Sequence, residues 1–585
     1  MSKVSGKAFD FNLLKKVLKY SKPYKRVFAL TIASTILLAI LSPLRPWLIQ
    51  YTIDNYVAIP NSEQLLKMVL LMIGILIIES IVQFFNTYYT NWLGQTVIKD
   101  LRINLFRHIL NFRLKYFDNT PIGTLVTRVI SDIEAIADIF SEGLLVIMGD
   151  LLKIVAVIAV MLYADVKITI ISLSVLPLLF AATSWFQKSI KKAFQDVRTQ
   201  IAQLNAFVQE HITGISVVQL FNREDVEFEK FKAINAKHRD ANIDSIWYYS
   251  IFFPVVELLL AASIGLLVWW GAGSVIKEEV SLGTLIAFIL YVHMLFRPIR
   301  ELADKFNTLQ MGMVASERVF KILETSETIE NIGKLSMNNV KGKIDFQNVW
   351  FAYNNEDWIL KNVSFSIAEG KSIAIVGPTG AGKTSIINLF GRYYEYQKGN
   401  ILVDDHDLRE YEVTSLRKNI AFVLQDVFLF SDTIANNISL NDPTITRKQI
   451  IEAAKAVGAH NFIMNLPGNY DFNVMERGGM LSVGQRQLIA FIRAYVQNPK
   501  ILVLDEATSS VDTETEQLIQ LATNKLTENR TSIIIAHRLA TIQKADKIIV
   551  LDHGEVIEQG SHQELLKQNG QYKRLFELQF NGNNN

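Results

Sequence analysis

The chain contains no cysteine. Disulfide frameworks, thiolate metal sites and cysteine nucleophiles are therefore excluded. Charge is also scarce: Asp, Glu, Lys and Arg make up 20% of the 585 residues, against about 25% in an average soluble domain. The 59 basic and 57 acidic residues leave a formal net charge of +2. That balance argues against a general nucleic-acid-binding surface. Twelve prolines and 29 glycines carry no collagen-like or low-complexity bias. What is in excess is apolar side chains, half of all residues. The length accommodates several domains at roughly 100–200 residues each.

The apolar excess is confined to the first half. Residues 27–49 hold one charge, Arg45, and 68–98 hold one, Glu79. Residues 168–187 and 280–296 hold none, and 245–276 hold only Glu257. Residues 139–163 are apolar except at Glu142, Asp150 and Lys153. A helix crosses a bilayer core with about 20 apolar residues. Six spans are predicted, at 27–50, 65–90, 139–163, 166–187, 247–271 and 281–304. A buried soluble bundle is the competing reading, but its helices are seldom this long and apolar on every face. The first run does not read as a cleaved signal peptide, because a segment of 26 residues precedes it and no small-residue cleavage site follows.

The segment 1–26 carries Lys15, Lys16, Lys19, Lys22, Lys25 and Arg26. The long connections 91–138 and 188–245 are also rich in Lys and Arg, whereas the short connections are poor in both. The positive-inside tendency places both termini and the long connections in the cytoplasm of a multi-pass inner-membrane protein. The long connections read as helical continuations of the spans. The transmembrane domain is expected over 27–305, a helix and linker over 306–341, an α/β domain over 342–580 and a frayed tail over 581–585. Short β-branched runs at 372–376, 401–403, 420–423, 501–504, 532–536 and 547–551 alternate with amphipathic helical stretches. That alternation predicts a mostly parallel sheet.

Gly377, Pro378, Thr379, Gly380, Ala381, Gly382, Lys383 and Thr384 follow the strand 372–376 and lead into a helix at Ser385. This is the P-loop pattern in its required strand–loop–helix context. The glycines let backbone N–H groups turn inward on phosphate oxygens, and the helix N-terminus adds a positive dipole end. Lys383 supplies a charge for the β- and γ-phosphates and Thr384 a hydroxyl for Mg²⁺. The apolar run 501–504 ends in Asp505 and Glu506. It is expected in the sheet centre beside the P-loop strand, with Asp505 in the Mg²⁺ shell and Glu506 as general base for the attacking water.

Between these motifs lie Leu481, Ser482, Val483, Gly484 and Gln485. At this point the chain resembles the ATP-binding cassette superfamily, and its whole length resembles the exporter-type half-transporters of that superfamily. The resemblance implies an all-α six-helix membrane domain fused to one α/β nucleotide-binding domain. It implies ATP and Mg²⁺ as ligands, and a homodimer or heterodimer in which Ser482 and Gly484 close on ATP held by the other subunit. Val483 departs from the family's LSGGQ signature, where a glycine stands. The resemblance further assigns Tyr353 to stacking on adenine, Gln425 to the metal and attacking water, and His537 to the γ-phosphate and the orientation of Glu506. It assigns Ser510 and Asp512 to a loop crossing to the partner site, and residues 117–123 and 213–224 to coupling segments of the membrane domain. The implied function is ATP-driven export of an amphipathic drug-like molecule or a lipid, with lipid flipping between leaflets, or an ATP-gated channel or regulator, as alternatives. Intramembrane charges are costly and default to functional roles. Glu79, Arg45, Glu257, His293 and Arg297 are therefore candidates for the substrate path, with an interfacial position as the alternative for Arg45 and Arg297.

Overall fold

The computed structural model describes residues 10–328, 333–337, 340–354, 356–506, 513–536 and 538–580, the side chains of 302–304, 306, 307, 506, 513 and 578–580 excepted. The chain forms two compact units. One comprises Met1–Asn111 and Thr120–Ser326, the other Phe112–Asn119 and Glu327–Asn585.

The first unit is helical. Among the described residues six stretches are long and apolar enough to cross a membrane: Lys22–Val57, Ser62–Leu110, Ile122–Ala164, Val166–Thr213, Glu224–Ile276 and Leu282–Glu301. The helices Ser62–Leu110 and Glu224–Ile276 contain 49 and 53 residues. At 1.5 Å per residue each is roughly 70–80 Å long, more than twice the hydrocarbon core of a bilayer. Leu66, Leu70, Ile77, Ile78 and Phe84 lie exposed along the first of these helices. An apolar surface of that extent is stable against lipid and not against water. The third stretch departs from regular α geometry at Arg128–Asp132 and Ile139–Leu144, where the winding widens to π. At the first of these, buried Asp132 accepts from Arg128 Nη1 and Arg318 Nη2, both at 2.7 Å. This ties the third stretch to the helix Leu282–Leu323.

The interior of the unit is aromatic and aliphatic. Phe186 stacks on Phe252 at 4.1 Å between centroids, and fully buried Tyr291 donates its hydroxyl to the Pro43 carbonyl at 2.9 Å. Asp54 accepts from Gly283 N at 2.9 Å and Ser281 Oγ at 2.6 Å, fixing the start of the last membrane helix.

Among its described residues the second unit holds ten strands: β1 Ile344–Ala352, β2 Trp358–Ile367, β3 Ser372–Val376, β4 Lys398–Val403, β5 His406–Asp407, β6 Ile420–Val423, β7 Ile501–Glu506, β8 Thr531–Ala536, β9 Lys547–Asp552 and β10 Glu555–Gly560. They form a sheet of order β10-β9-β3-β8-β7-β6 and a second sheet of order β2-β1-β4-β5. In the first sheet β9, β3, β8, β7 and β6 are parallel, and β10 is antiparallel. Side chains alternate between its faces, as the strand period of two requires. Ile373, Ile375, Val503, Ile533 and Ile535 enter one core, and Ala374, Val376, Leu504, Ile534 and Ala536 enter the other. Both faces are covered, which is how parallel sheets are stabilised.

Two expectations are corrected here. The run 401–403 belongs to β4 of the antiparallel sheet, not to the parallel one. The strand bearing Asp505 and Glu506 does not adjoin the P-loop strand, because β8 pairs with both and separates them. All six residues of β8 are buried, so this strand has the continuous burial that a central position demands.

Candidate nucleotide site and membrane cavity

The loop after β3 is shaped by two close approaches. A Cβ on Gly377 would lie 2.1 Å from the Leu551 carbonyl oxygen, and one on Gly382 would lie 2.7 Å from Leu360 Cδ2. Gly382 also has φ +100° and precedes the helix Lys383–Phe390. The helix thus opens two residues before Ser385. Lys383 is buried, and its Nζ donates to the carbonyls of Gly377 at 2.8 Å and Pro378 at 2.9 Å. Burial pushes its pKa down, against the pull of the Asp505 carboxylate. Asp505 is buried as well; burial raises its pKa, opposed by Lys383 and reinforced by Asp426. The two charges form no direct ion pair among the described residues. Each is therefore desolvated without full compensation, a costly state that a polyanion on Lys383 and a divalent cation on Asp505 would relieve. The donor set, with Thr384 exposed at the first turn of the helix, fits a nucleotide phosphate with Mg²⁺.

Strand register collects the other candidates. Ile375 of β3 and Asp505 of β7 both align with Ile535 of β8, and Val423 of β6 aligns with Leu504. The P-loop, Asp505, the Glu506 backbone and exposed Gln425 consequently leave the sheet at one edge, the carboxyl ends of its parallel strands. The Glu506 side chain, His537, Ser510 and Asp512 lie outside the described residues.

Tyr353 sits over the P-loop helix. Its hydroxyl is 3.1 Å from Ser385 Oγ and accepts from Asn388 Nδ2 at 3.2 Å. Its ring meets Tyr394 edge-on at 4.8 Å and Phe351 at 4.7 Å. Tyr394 was not foreseen. Its hydroxyl donates to Asp118, in the Phe112–Asn119 stretch that clusters with this unit. That stretch is anchored by Arg113, whose N donates to the Glu327 carbonyl at 2.9 Å and whose Nε donates to that of Thr328 at 2.8 Å.

Ser482 caps the helix Val483–Val496. Its Oγ accepts from Gln485 N at 3.2 Å, and its N donates to Gln485 Oε1 at 3.0 Å, a reciprocal capping box. Leu481 and Gly484 are buried, whereas Val483 is 45% exposed at the first helical position. The extra bulk of Val483 therefore projects from the helix start instead of packing inside.

In the membrane unit, Glu79, Glu257, His293 and Arg297 line one cavity of about 700 Å³. Arg45, Lys153 and Arg300 share it. Arg45 pairs with Glu79, and Arg300 Nη1 lies 3.5 Å from Glu257 Oε1. Lys153 and Arg300 were not singled out from the sequence. The signal for Lys153 was its interruption of the third apolar stretch.

A P-loop ATPase domain in one chain with six membrane-length helices defines a nucleotide-driven membrane transporter. Comparison with known proteins resolves the class further. Residues 28–299 match the ABC transporter transmembrane region, and residues 360–509 match the ABC transporter family. The chain belongs to the ABC transporter family and couples ATP hydrolysis to transport. YknV of Bacillus subtilis, named an uncharacterized ABC transporter ATP-binding protein, is 36% identical over 98% of this chain and 96% of its own length. YgaD of the same organism, provisionally named a multidrug export ATP-binding/permease protein, is 35% identical over 97% and 99%. An ATP-dependent lipid A-core flippase of Syntrophus aciditrophicus is 33% identical over 97% and 95%.

Proposed function

We propose that this ABC exporter is a half-transporter that acts as a dimer in the cytoplasmic membrane, with both termini inside, and moves an amphipathic molecule outward by alternating access. The observation that supports this reading most is the single sheet edge carrying the P-loop, Asp505 and Gln425, in one chain with a charged membrane cavity. Lys383 and the backbone of Gly380–Thr384 bind the triphosphate, and Tyr353 positions the base. Thr384, Asp505 and Gln425 would hold Mg²⁺, which when bound supplies charge neutralisation at the phosphates. Glu506 takes a proton from the attacking water, and His537 orients it. Leu481–Gln485 of one chain completes the site of the other, with Ser510 and Asp512 reaching across. The functional divisions are 27–305 for translocation and 342–580 for nucleotide binding, joined by 306–341.

ATP shifts the population of membrane states only through contacts it makes in one state and not the other. The partner's signature segment supplies such contacts. The expected test is ATP-dependent uptake of labelled amphiphiles into inside-out vesicles. Wild type accumulates them; Glu506→Gln binds ATP but loses hydrolysis and uptake. Rapid turnover by that variant would refute the assigned base. The relationship to a lipid A-core flippase favours a lipid as second reading, and exposed Val483 favours a heterodimer with one weaker site.

A further inference from the structure

The 700 Å³ cavity in the membrane unit has an uneven charge balance. Four cations, Arg45, Lys153, Arg297 and Arg300, face two carboxylates, Glu79 and Glu257. Three of those cations have carboxylate partners: Arg45 pairs with Glu79, Arg300 is 3.5 Å from Glu257, and Arg297 Nε is 3.2 Å from Glu301 Oε1. Behind this layer Lys305 Nζ is held by Asp150 at 2.6 Å and Glu301 at 2.9 Å. With this layer included, the Lys and Arg charges exceed the Asp and Glu charges by one. Lys153 is the cation left over: it makes no hydrogen bond or ion pair among the described residues, although it is half-buried.

Lys153 also reaches a second cavity of about 270 Å³, which shares Ser42 and Glu79 with the first. The second cavity adds Asp150, which is held by Lys305, and uncharged polar side chains, including Gln83, Asn86 and Asn91. The first adds apolar ones, including Ile49, Leu260 and Phe296. An unpaired ammonium at membrane depth is expensive to keep. It sits between side-chain amides and the Asp150 carboxylate on one side and apolar surface on the other.

We propose that this cavity receives an amphiphile with an anionic head, phosphate or carboxylate, bound by the Lys153 ammonium, and an aliphatic tail laid along the apolar wall. The inference rests on the exporter reading and deepens it by fixing the head-group charge of the substrate.

The test uses the full chain in neutral maltoside micelles without nucleotide. Binding of fluorescent dodecyl phosphate, dodecanoate and dodecyltrimethylammonium is followed by anisotropy. Wild type prefers both anionic heads over the cationic one by about ten- to a hundredfold, the range of one charge-assisted hydrogen bond. Lys153→Met abolishes the preference, and Lys153→Arg, which keeps the charge, retains most of it. Equal or tighter binding of the cationic head overturns the proposal, as does an unchanged preference in Lys153→Met with a wild-type melting temperature. Inorganic phosphate separates the sources: weak competition at millimolar concentration supports an amphiphile, and full displacement at the affinity of dodecyl phosphate overturns it in favour of a free anion. ATP-driven transport is measured alongside. Transport without anionic preference refutes only the head-group assignment, whereas anionic preference without any ATP-driven transport refutes the exporter reading.

Discussion

The Tyr394–Asp118 hydrogen bond permits a sharp test of whether the nucleotide site is linked to the 112–119 stretch. Tyr394 is buried, its ring abuts Tyr353, and the Tyr353 hydroxyl reaches the P-loop helix. Burial raises the Tyr394 phenol pKa, and the Asp118 carboxylate raises it further, so the hydroxyl remains a donor throughout the physiological range. Tyr394→Phe keeps the ring packing and removes only that donor. A hydrogen bond to a charged group contributes about 1.5–3 kcal/mol when shielded. Asp118 is exposed, and solvent screening reduces the figure to about 1 kcal/mol, or about fivefold in an equilibrium. The expected result is a roughly fivefold fall in the ratio of amphiphile-stimulated to basal ATPase in proteoliposomes. Asp118→Ala gives the same fall, and the double variant is no worse than either single one, because both remove one interaction. Independent, multiplicative losses would refute the link, and so would a wild-type ratio in Tyr394→Phe.

Three further outcomes are expected. Gly377→Ala forces a Cβ against the Leu551 carbonyl, so its melting temperature falls by the equivalent of about 1–3 kcal/mol, and isothermal titration shows at least tenfold weaker ATP binding; unchanged binding would show that the loop relaxes freely. Val483→Gly removes exposed bulk from the signature helix, and ATPase of the purified chain rises about two- to fivefold although the helix start loses up to about 1 kcal/mol; an unchanged rate would show that Val483 does not limit the site. For Asp407, burial favours the neutral acid, but bonds from Arg409 and Tyr396 outweigh it and hold the pKa below the ordinary 3.8. A depressed carboxyl pKa stabilises the fold above its ordinary value, and that contribution is lost as pH falls through the folded value. Asp407→Asn therefore melts earlier than wild type at pH 7 by about 1 kcal/mol, and the gap narrows below pH 4 in thermal scans; a gap independent of pH would sink the assignment.

What the sequence disclosed and what it withheld divide along the range of the interactions concerned. The P-loop is encoded within eight consecutive residues because its glycines answer to local sterics, so Gly377 and Gly382 were readable without a fold. The signature was readable through its resemblance to the family's LSGGQ sequence, whereas the capping box between Ser482 and Gln485 came only with the structure. The place of β8 was not. Residues 531–536 follow β7 in sequence, yet they pair with β3 as well as with β7, and no spacing within a strand records which two neighbours it will have. The antiparallel sheet was hidden differently: β1 and β2 bulge repeatedly in register, at Val349 and Phe351 among others, which breaks the period-two pattern that would have announced them. Charge pairing in the membrane half was also beyond local reading. Arg45 and Glu79 are 34 residues apart, and Lys305 and Asp150 are 155 apart. Each alone reads as an intramembrane charge in need of a function. Only when the helices bring them together does most of that charge cancel, leaving Lys153 with no hydrogen bond or ion pair among the described residues.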